Sequence, residues 1–316
     1  MFRVEFLRIF GKKKIYIIIL IAIICEVLMA LPVGNDMPEG FNEDIYRYYM
    51  DKLNGMYTPE KQEWIMNEYN RLTELTANEE EYERQYRESE INADEYRTLT
   101  KEIKSAHNRL ITVEYIVNKS NEYGKCGGKP EYFYDIGVEN YICNMSIDFI
   151  MVIVLIILVA PIYTEEYTCG TVYMIKSSGN GKGKLLLRRI ALTLLAAGIV
   201  GTLFPIIELI TKYMRYDFGN LHADISSISG LQGIKISMTI QTYIILTIVV
   251  RCIYTMVVSV LVIAVAFAVH NNVAIMAIVS LIVAIPYFLD NIIPASVSFW
   301  FIHNGLGAYR FITGIL

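Results

Sequence analysis

The stretch IDFIMVIVLIILVAPI at residues 147–162 decides the fold class, because it is apolar and nearly long enough to cross a membrane. A polar segment, YTEEYTCGTVYMIKSSGNGKGKLLLRR at residues 163–189, follows it, and a second apolar run begins at residue 190. Of the 316 residues 54% are hydrophobic, and the mean hydropathy is +0.39. Soluble domains are usually less apolar. The sequence therefore predicts an all-α integral membrane protein.

Apolar runs of this kind recur along the chain and predict five membrane-spanning helices. A hydrocarbon core of about 30 Å needs roughly 20 apolar residues in a helix. The predicted spans are residues 15–33, 147–162, 190–210, a part of 239–269, and 273–289, with HNN at 270–272 as a tight turn. The tail after Asp290 is interrupted by proline, histidine and glycine. This tail is therefore either a sixth span or a re-entrant or interfacial segment.

Charge is segregated along the chain and predicts its topology. Residues 34–146 hold 13 Lys/Arg and 23 Asp/Glu, whereas the whole chain has a net charge of -4. Lys12, Lys13 and Lys14 precede the first span, so the positive-inside rule places the N-terminus in the cytoplasm. We expect a retained span rather than a signal peptide. The 34–146 block and the 214–238 loop are then extracellular, and residues 163–189 are cytoplasmic in a multi-pass plasma-membrane protein.

The first 14 residues predict a short helix that lies in the inner membrane interface. Phe2, Phe6, Ile9 and Phe10 share one helical face, and Arg3 is among the polar positions. A frayed basic N-terminus is the alternative.

The 34–146 block predicts a helical hairpin over residues 59–123. SEINADEY at residues 89–96 is the predicted turn, with Asn92 or Asp94 as N-cap. Two arms of about 30 residues would be roughly 45 Å long. Apolar residues follow coiled-coil spacing, weakly on the first arm and strictly on the second: Ile65, Leu72, Leu75, Tyr82 and Tyr86, then Tyr96, Leu99, Ile103, Ala106, Leu110, Val113 and Val117.

Tyrosines and cysteines of the same block leave alternatives open. The tyrosines either pack the hairpin seam or form a recognition surface for a partner.

Cys126 and Cys143 are close enough in sequence for a disulfide that would stabilise the fold by about 3 kcal/mol. Two unpaired thiols are the equal alternative.

The glycines and lysines of residues 163–189 do not form a phosphate loop. The P-loop pattern needs Gly, four residues and then Gly-Lys-Ser/Thr. Ser178 stands at the first glycine position and Leu185 at the Ser/Thr position. The histidines, His107, His222, His270 and His303, are isolated, so we predict no metal site. No pairing of a nucleophile with a base is defensible, and we expect no catalytic residue in this chain.

The order of features in residues 163–189 resembles a cytoplasmic segment of the ABC-2 type transporter permeases. A span is followed by Glu165 and Glu166, then by Gly170 and Thr171, an apolar VYMI, a small-residue loop and basic residues. KSSGNGKGK replaces the Ser-Pro loop that is usual in the family. An N-terminal helix, one span, a large outer domain and a cluster of spans agree with the resemblance, which extends over most of the chain.

The resemblance implies an export permease that moves a peptide, lipid or amphipathic drug outward. It implies a separate ABC ATPase subunit in two copies, which binds the ATP and Mg, and a second permease, identical or homologous. We expect membrane lipids as partners, no nucleic acid, and no cofactor in this chain. A cytoplasmic helix at residues 164–175 would carry Glu165 and Glu166 in its first turn and present Val172 and Ile175 to the ATPase. A solvated loop is the alternative.

Glu26, Glu208 and Arg251 are charged residues that fall in or near predicted spans. Such residues pair or line wet paths, although those near span ends can reach the interface. Arg251 lies either inside a long fourth span or after a segment that lies flat or re-enters the membrane. We predict that Arg251 contacts Glu208 or Glu26 near a translocation path.

Two other function classes fit the sequence less well. A membrane sensor or signalling scaffold would bind a ligand through the extracellular hairpin, but the short cytoplasmic segments leave no room for an output domain. A secondary transporter would require internal repeats and paired charges near the midplane, and no repeat is visible.

Overall fold

The structure, a computed structural model, describes residues 13–31, 37–143, 148–168, 181–234, 236–289, 302–308 and 312. It forms two compact units. The span unit comprises Met1–Val33, Tyr141–Arg215 and Tyr243–Leu316, and the hairpin unit comprises Gly34–Asn140 and Tyr216–Thr242. The predicted interfacial helix at residues 1–14 lies almost entirely outside the described residues.

Helices dominate both units. In chain order the elements are α1 (Lys13–Ala30), α2 (Glu43–Leu53), β1 (Gly55–Met56), α3 (Pro59–Ala77), α4 (Glu79–Arg87), α5 (Ala93–Tyr123), β2 (Glu131–Tyr132), α6 (Ile136–Cys143), α7 (Phe149–Thr168), α8 (Gly181–Arg215), α9 (Ile240–Val269), α10 (Asn272–Leu289) and α11 (Ile302–Gly307). The two short strands pair in an antiparallel sheet.

The span unit is a bundle of apolar helices. Three described helices are long and apolar enough to cross a membrane, namely Gly183–Arg215, Ile240–Val269 and Asn272–Leu289. A shorter apolar helix covers Phe149–Glu165. α7 packs against α1, α8 and α10. The described chain is therefore helical, with helices long and apolar enough to span a membrane, as the sequence predicts, and the count of five to six spans stays a prediction.

The fourth predicted span is one continuous helix. α9 runs from Ile240 to Val269 without a break, so the broken or flat entry into this span is wrong. The helix begins at Ile240, directly after Thr239. The β-branched and aromatic residues from Ile240 onward stabilise the helix by packing against its neighbours. A Cβ at Gly201 of α8 would lie 3.0 Å from Cys252 Cα, so α8 and α9 approach closely here.

The turn between α9 and α10 matches the sequence prediction. His270 has a φ of 57°, the left-handed conformation that ends a helix. Asn271 Oδ1 accepts hydrogen bonds from the N–H groups of Val273, at 2.9 Å, and Ala274, at 3.3 Å. These bonds satisfy the first donors of α10 and fix the start of that helix.

The predicted helix at residues 164–175 does not begin at Thr164. α7 continues through Tyr163 to Thr168, so Glu165 and Glu166 belong to its last turn and not to the first turn of a new helix. No helix breaker stands between Pro161 and Thr168, and Thr164 Oγ1 donates to the carbonyl of Ala160 within the same helix. Local helix continuity therefore outweighs the preference of carboxylates for a helix N-terminus.

The predicted hairpin is formed in the hairpin unit. α3 and α4 pack against α5, and Asn92 caps α5 in a capping box with Glu95. Tyr86 and Tyr96 stack at the turn end with ring centroids 4.2 Å apart. The first arm differs from the prediction in breaking at Asn78, which lies between α3 and α4. The buried positions of the seam include Ile65, Leu72, Ile103, Ala106, Val113 and Val117.

The hairpin unit also contains residues that the sequence left as a loop. Tyr123 Oη donates to the carbonyl of Ser227 at 2.6 Å, and the Glu131 N–H donates to Ser227 Oγ at 2.8 Å. The described residues of the 214–238 loop from residue 216 onward therefore belong to this unit. The interior of the unit contains the buried tyrosines Tyr46, Tyr49, Tyr123, Tyr132 and Tyr134, and of these Tyr123 alone belongs to the predicted hairpin.

Candidate functional site: a buried charge cluster

Arg251 lies at the centre of a charge cluster inside the span unit. Its side chain is only 1% exposed, in the middle of the apolar helix α9. The Nη1 group donates to Glu208 Oε2 at 2.7 Å, and Nη2 lies 3.9 Å from Asp148 Oδ2. A guanidinium buried among apolar side chains is costly unless carboxylates surround it. The two carboxylates therefore compensate the charge of Arg251.

α8 brings a second cation to the cluster. Glu208 and Lys212 are one helical turn apart, and Lys212 Nζ lies 4.0 Å from Glu208 Oε1. The exposed fractions of the two side chains are 7% for Lys212 and 12% for Glu208. Glu208 thus stands between two positive charges, one on its own helix and one on α9.

α1 contributes the third carboxyl group. Glu26 is 6% exposed and interacts electrostatically with Asp148, Glu208 and Arg251. Asp148 immediately precedes α7, where its Oδ1 accepts from the Met151 N–H at 2.7 Å and caps the helix. The cluster therefore joins four elements: α1, the start of α7, α8 and α9.

The structure brings together all three charged residues that the sequence singled out. Glu26, Glu208 and Arg251 belong to one cluster, and the predicted contact of Arg251 is made with Glu208. The sequence analysis missed Asp148 and Lys212. Asp148 could have been found as the charged residue inside the predicted span 147–162, and Lys212 as the partner of Glu208 at i,i+4 spacing. The role of the cluster in a translocation path stays a prediction.

Most of the predicted ATPase-coupling residues cannot be placed. Gly170, Thr171, Val172 and Ile175 lie outside the described residues. Glu165 is half-buried in the last turn of α7, and for Glu166 the structure describes only the helical backbone.

Hydrogen bonds fix the end of α7 that leads into this segment. Tyr163 Oη lies 3.1 Å from Thr193 Oγ1 of α8, and Thr164 Oγ1 donates to Asn272 Oδ1 at the start of α10. Three helices are thus tied together where the chain leaves α7.

A second buried charge pair lies in the hairpin unit. Lys119 Nζ is paired with Asp135 and donates to Tyr46 Oη at 3.1 Å, and Tyr46 Oη donates to Asp135 Oδ1 at 2.6 Å. Burial lowers the pKa of Lys119, but the charges of Asp135 and Glu139 and the hydrogen bond to Asp135 together outweigh it, so the pKa is raised. Burial raises the pKa of Glu139 to about 7, against the opposing charge of Lys119. This network joins α2, α5 and the start of α6.

The remaining predictions concern cysteines and metals. Cys126 carries a free thiol whose Sγ lies 3.3 Å from the Tyr123 carbonyl, so the alternative of unpaired thiols is present at this position. The side chain of Cys143 is not described. Within the described ranges no group of three or more His, Cys, Asp or Glu side chains could hold a metal ion.

Comparison with known protein families, curated proteins and solved structures finds no match to this chain.

Proposed function

We propose that this chain is the permease subunit of an ABC-type exporter. The observation that carries the proposal is the charge cluster around Arg251, because charged side chains inside apolar helices are expensive and mark ion or substrate paths. The pattern of Glu165, Glu166, Gly170 and Thr171 after a span supports the ATP-driven class, since it resembles the segment with which ABC-2 permeases meet their ATPase.

The energy would come from a partner. The sequence lacks a P-loop, so ATP and Mg would be bound by two copies of a separate ATPase. Those subunits would dock on the 169–180 segment under a pair of permeases. Tyr163 and Thr164 would transmit the movement to α8 and α10 through their contacts with Thr193 and Asn272.

The proposed orientation follows the charge distribution. With Lys12–Lys14 in the cytoplasm of a plasma-membrane protein, the hairpin unit is extracellular. The substrate is a peptide, a lipid or an amphipathic drug that moves outward along the span unit.

Co-purification of the full chain with its ATPase tests the proposal. A tag on this chain should recover an ATPase, and Gly170→Asp and Val172→Asp should each reduce complex formation and ATP hydrolysis at least tenfold, because a charge is placed on the docking surface. Ser178→Asp is the matched control, since it adds the same charge in the loop outside the pattern. Unchanged complexes in all three variants, or the absence of any ATPase, would contradict the proposal.

The same cluster favours a second candidate, an ion-coupled secondary transporter. Paired charges between helices are a feature of such proteins. Against it, the described part of α9 is unbroken at Arg251, whereas secondary transporters commonly interrupt helices at the binding site. Transport that follows an ion gradient in vesicles without any ATPase would select this candidate over the exporter.

A further inference from the structure

We propose that Tyr48 and Trp64 of the hairpin unit form a binding site for a cationic side chain, namely a lysine or arginine of a basic peptide. Tyr48 is 49% exposed on α2, and Trp64 is 41% exposed on α3. Tyrosine and tryptophan are enriched where proteins bind partners, because one end of each ring is apolar and the other is polar. The proposal concerns binding alone and does not depend on whether the protein is an exporter.

A cation of the chain itself shows that the geometry of the site fits. Lys52 Nζ lies 4.5 Å from the centroid of the Tyr48 ring and 5.7 Å from the centroid of the Trp64 ring. Both distances are within the roughly 6 Å over which an aromatic face attracts an ammonium group. The ammonium group of Lys52 therefore occupies the place that the proposal assigns to the partner's cation.

The two rings, and not a carboxylate, hold this ammonium group. Lys52 forms no ion pair with a carboxylate of the described residues. This is so although residues 34–146 hold 23 Asp/Glu against 13 Lys/Arg. Contact with aromatic faces is the means by which proteins recognise arginine, lysine and quaternary ammonium groups.

Buried contacts hold the two exposed rings in place. Tyr49 is 1% exposed, and its ring centroid lies 5.3 Å from that of Tyr48 and 6.2 Å from that of Trp64. The Tyr49 hydroxyl group donates to Glu68 Oε1 at 2.9 Å, and Glu68 also accepts two hydrogen bonds from Arg71. These contacts join α2 to α3, so the rings need little further ordering when a partner binds.

The charge of the surrounding block decides which partner fits. The acidic excess of residues 34–146 creates a negative potential, which attracts a positively charged peptide and speeds its association. A zwitterionic molecule such as a phosphocholine lipid gains little from this potential, because it has no net charge. A basic peptide is therefore the partner that matches both the rings and the charge.

Lys52 competes with the partner for the rings. It follows Tyr48 by four residues on the same helix, so its ammonium group always stays near the site. The cation of a partner has to displace it. Removal of Lys52 should therefore strengthen peptide binding, whereas removal of either ring should weaken it.

Fluorescence anisotropy of a dye-labelled hexa-arginine peptide measures this binding to the purified full-length protein, in a detergent with an uncharged headgroup. Tyr48→Leu and Trp64→Leu should each weaken binding about fivefold, which is the strength of an exposed cation–π contact. Lys52→Gln should strengthen binding by a similar factor, about fivefold, because it frees both rings.

Two matched controls separate the site from general effects. Tyr86→Leu removes a ring that is also 41% exposed, stacks on Tyr96 and contacts no cation of the described residues, and it should leave the affinity unchanged. Lys101→Gln removes the same charge as Lys52→Gln from another exposed helical position. It should change binding by at most about twofold, because salt screens distant surface charges.

Competition on the parent protein tests the site without any substitution. Tetramethylammonium chloride should displace the peptide at lower concentration than sodium chloride does. Both salts screen charge equally, but only the organic cation is recognised by aromatic faces.

Three results would overturn the proposal. The first is equal displacement of the peptide by the two salts, which decides the question on the parent protein even if a variant fails to fold. The second is binding to Lys52→Gln that is no stronger than binding to Lys101→Gln. The third is a parent protein that does not bind the peptide, and binding of soluble phosphocholine in its place would assign the rings to a lipid headgroup.

Discussion

Arg251 and Glu208 form an ion pair of 2.7 Å between the middle of α9 and the last third of α8, with the arginine side chain 1% exposed. The pair spans 43 residues of sequence and ties the two longest apolar helices of the described chain together. Removal of one partner would leave the other charge buried and uncompensated, and this is the basis of the first prediction.

Charge reversal at Arg251 should be rescued by charge reversal at Glu208. Breaking a buried pair typically costs about 3–5 kcal/mol, so Arg251→Glu should lower the thermal midpoint of the detergent-solubilised protein by several degrees or more. Arg251→Glu combined with Glu208→Arg should recover part of the loss.

Arg251→Glu combined with Glu26→Arg is the matched comparison. It restores the charge count without restoring the 2.7 Å contact, so its recovery should be smaller. Equal thermal midpoints for the two double variants would show that only net charge matters here and not the pairing.

The buried Lys119–Asp135 pair of the hairpin unit predicts that losing one charge is more destabilising than losing both. Lys119→Met leaves Asp135 buried beside Tyr46 without its cation, and should reduce the free energy of unfolding by about 3–5 kcal/mol. Lys119→Met with Asp135→Asn removes both charges and should cost less than the single variant. Chemical denaturation of the full chain, monitored by tyrosine and tryptophan fluorescence, measures the free energy of unfolding of both variants. A double variant less stable than Lys119→Met would refute the prediction.

Glu139 predicts a pH dependence of stability. Its folded-state pKa of about 7 lies above 4.5, the ordinary pKa of a glutamate, so the unfolded chain ionises first as the pH rises. The contribution of this group is fully present below about pH 4.5, is lost as the pH rises towards 7, and is constant above that. The difference in unfolding free energy between the parent protein and Glu139→Gln should follow this curve. A difference that does not change with pH would show that the carboxyl group does not titrate in this window.

The capping box at Asn92 predicts a small, graded loss. Asn92→Ala removes the acceptor for the N–H groups of Asp94 and Glu95 and should cost about 1 kcal/mol, whereas Asn92→Gly should cost only a few tenths. Hydrogen exchange at the first turn of α5 should increase in the same order. Equal exchange in the two variants would argue that the turn is held by the Tyr86–Tyr96 stack alone.

Local features of the sequence were sufficient for α5, the hairpin turn and the HNN turn. Asn92 and Glu95 are three residues apart, and the seam residues Ile103 and Ala106 follow one helical face, so neighbours along the chain specify these elements. The same local argument failed for Glu165, where the preference of an acidic residue for a helix start was weaker than the continuity of α7.

The tertiary structure alone decided which distant groups meet. Ser227 packs with Tyr123, 104 residues away, and Asp135 pairs with Lys119 across a turn of the hairpin unit. Composition and apolar runs were enough to predict a helical chain with helices apolar enough to span a membrane, and to single out Glu26, Glu208 and Arg251. Only the packing of the helices showed that Asp148 belongs to their cluster. A buried charged side chain pairs with an opposite charge on whichever helix packs beside it. Which helices pack together depends on the shapes of their surfaces and not on spacing along the chain.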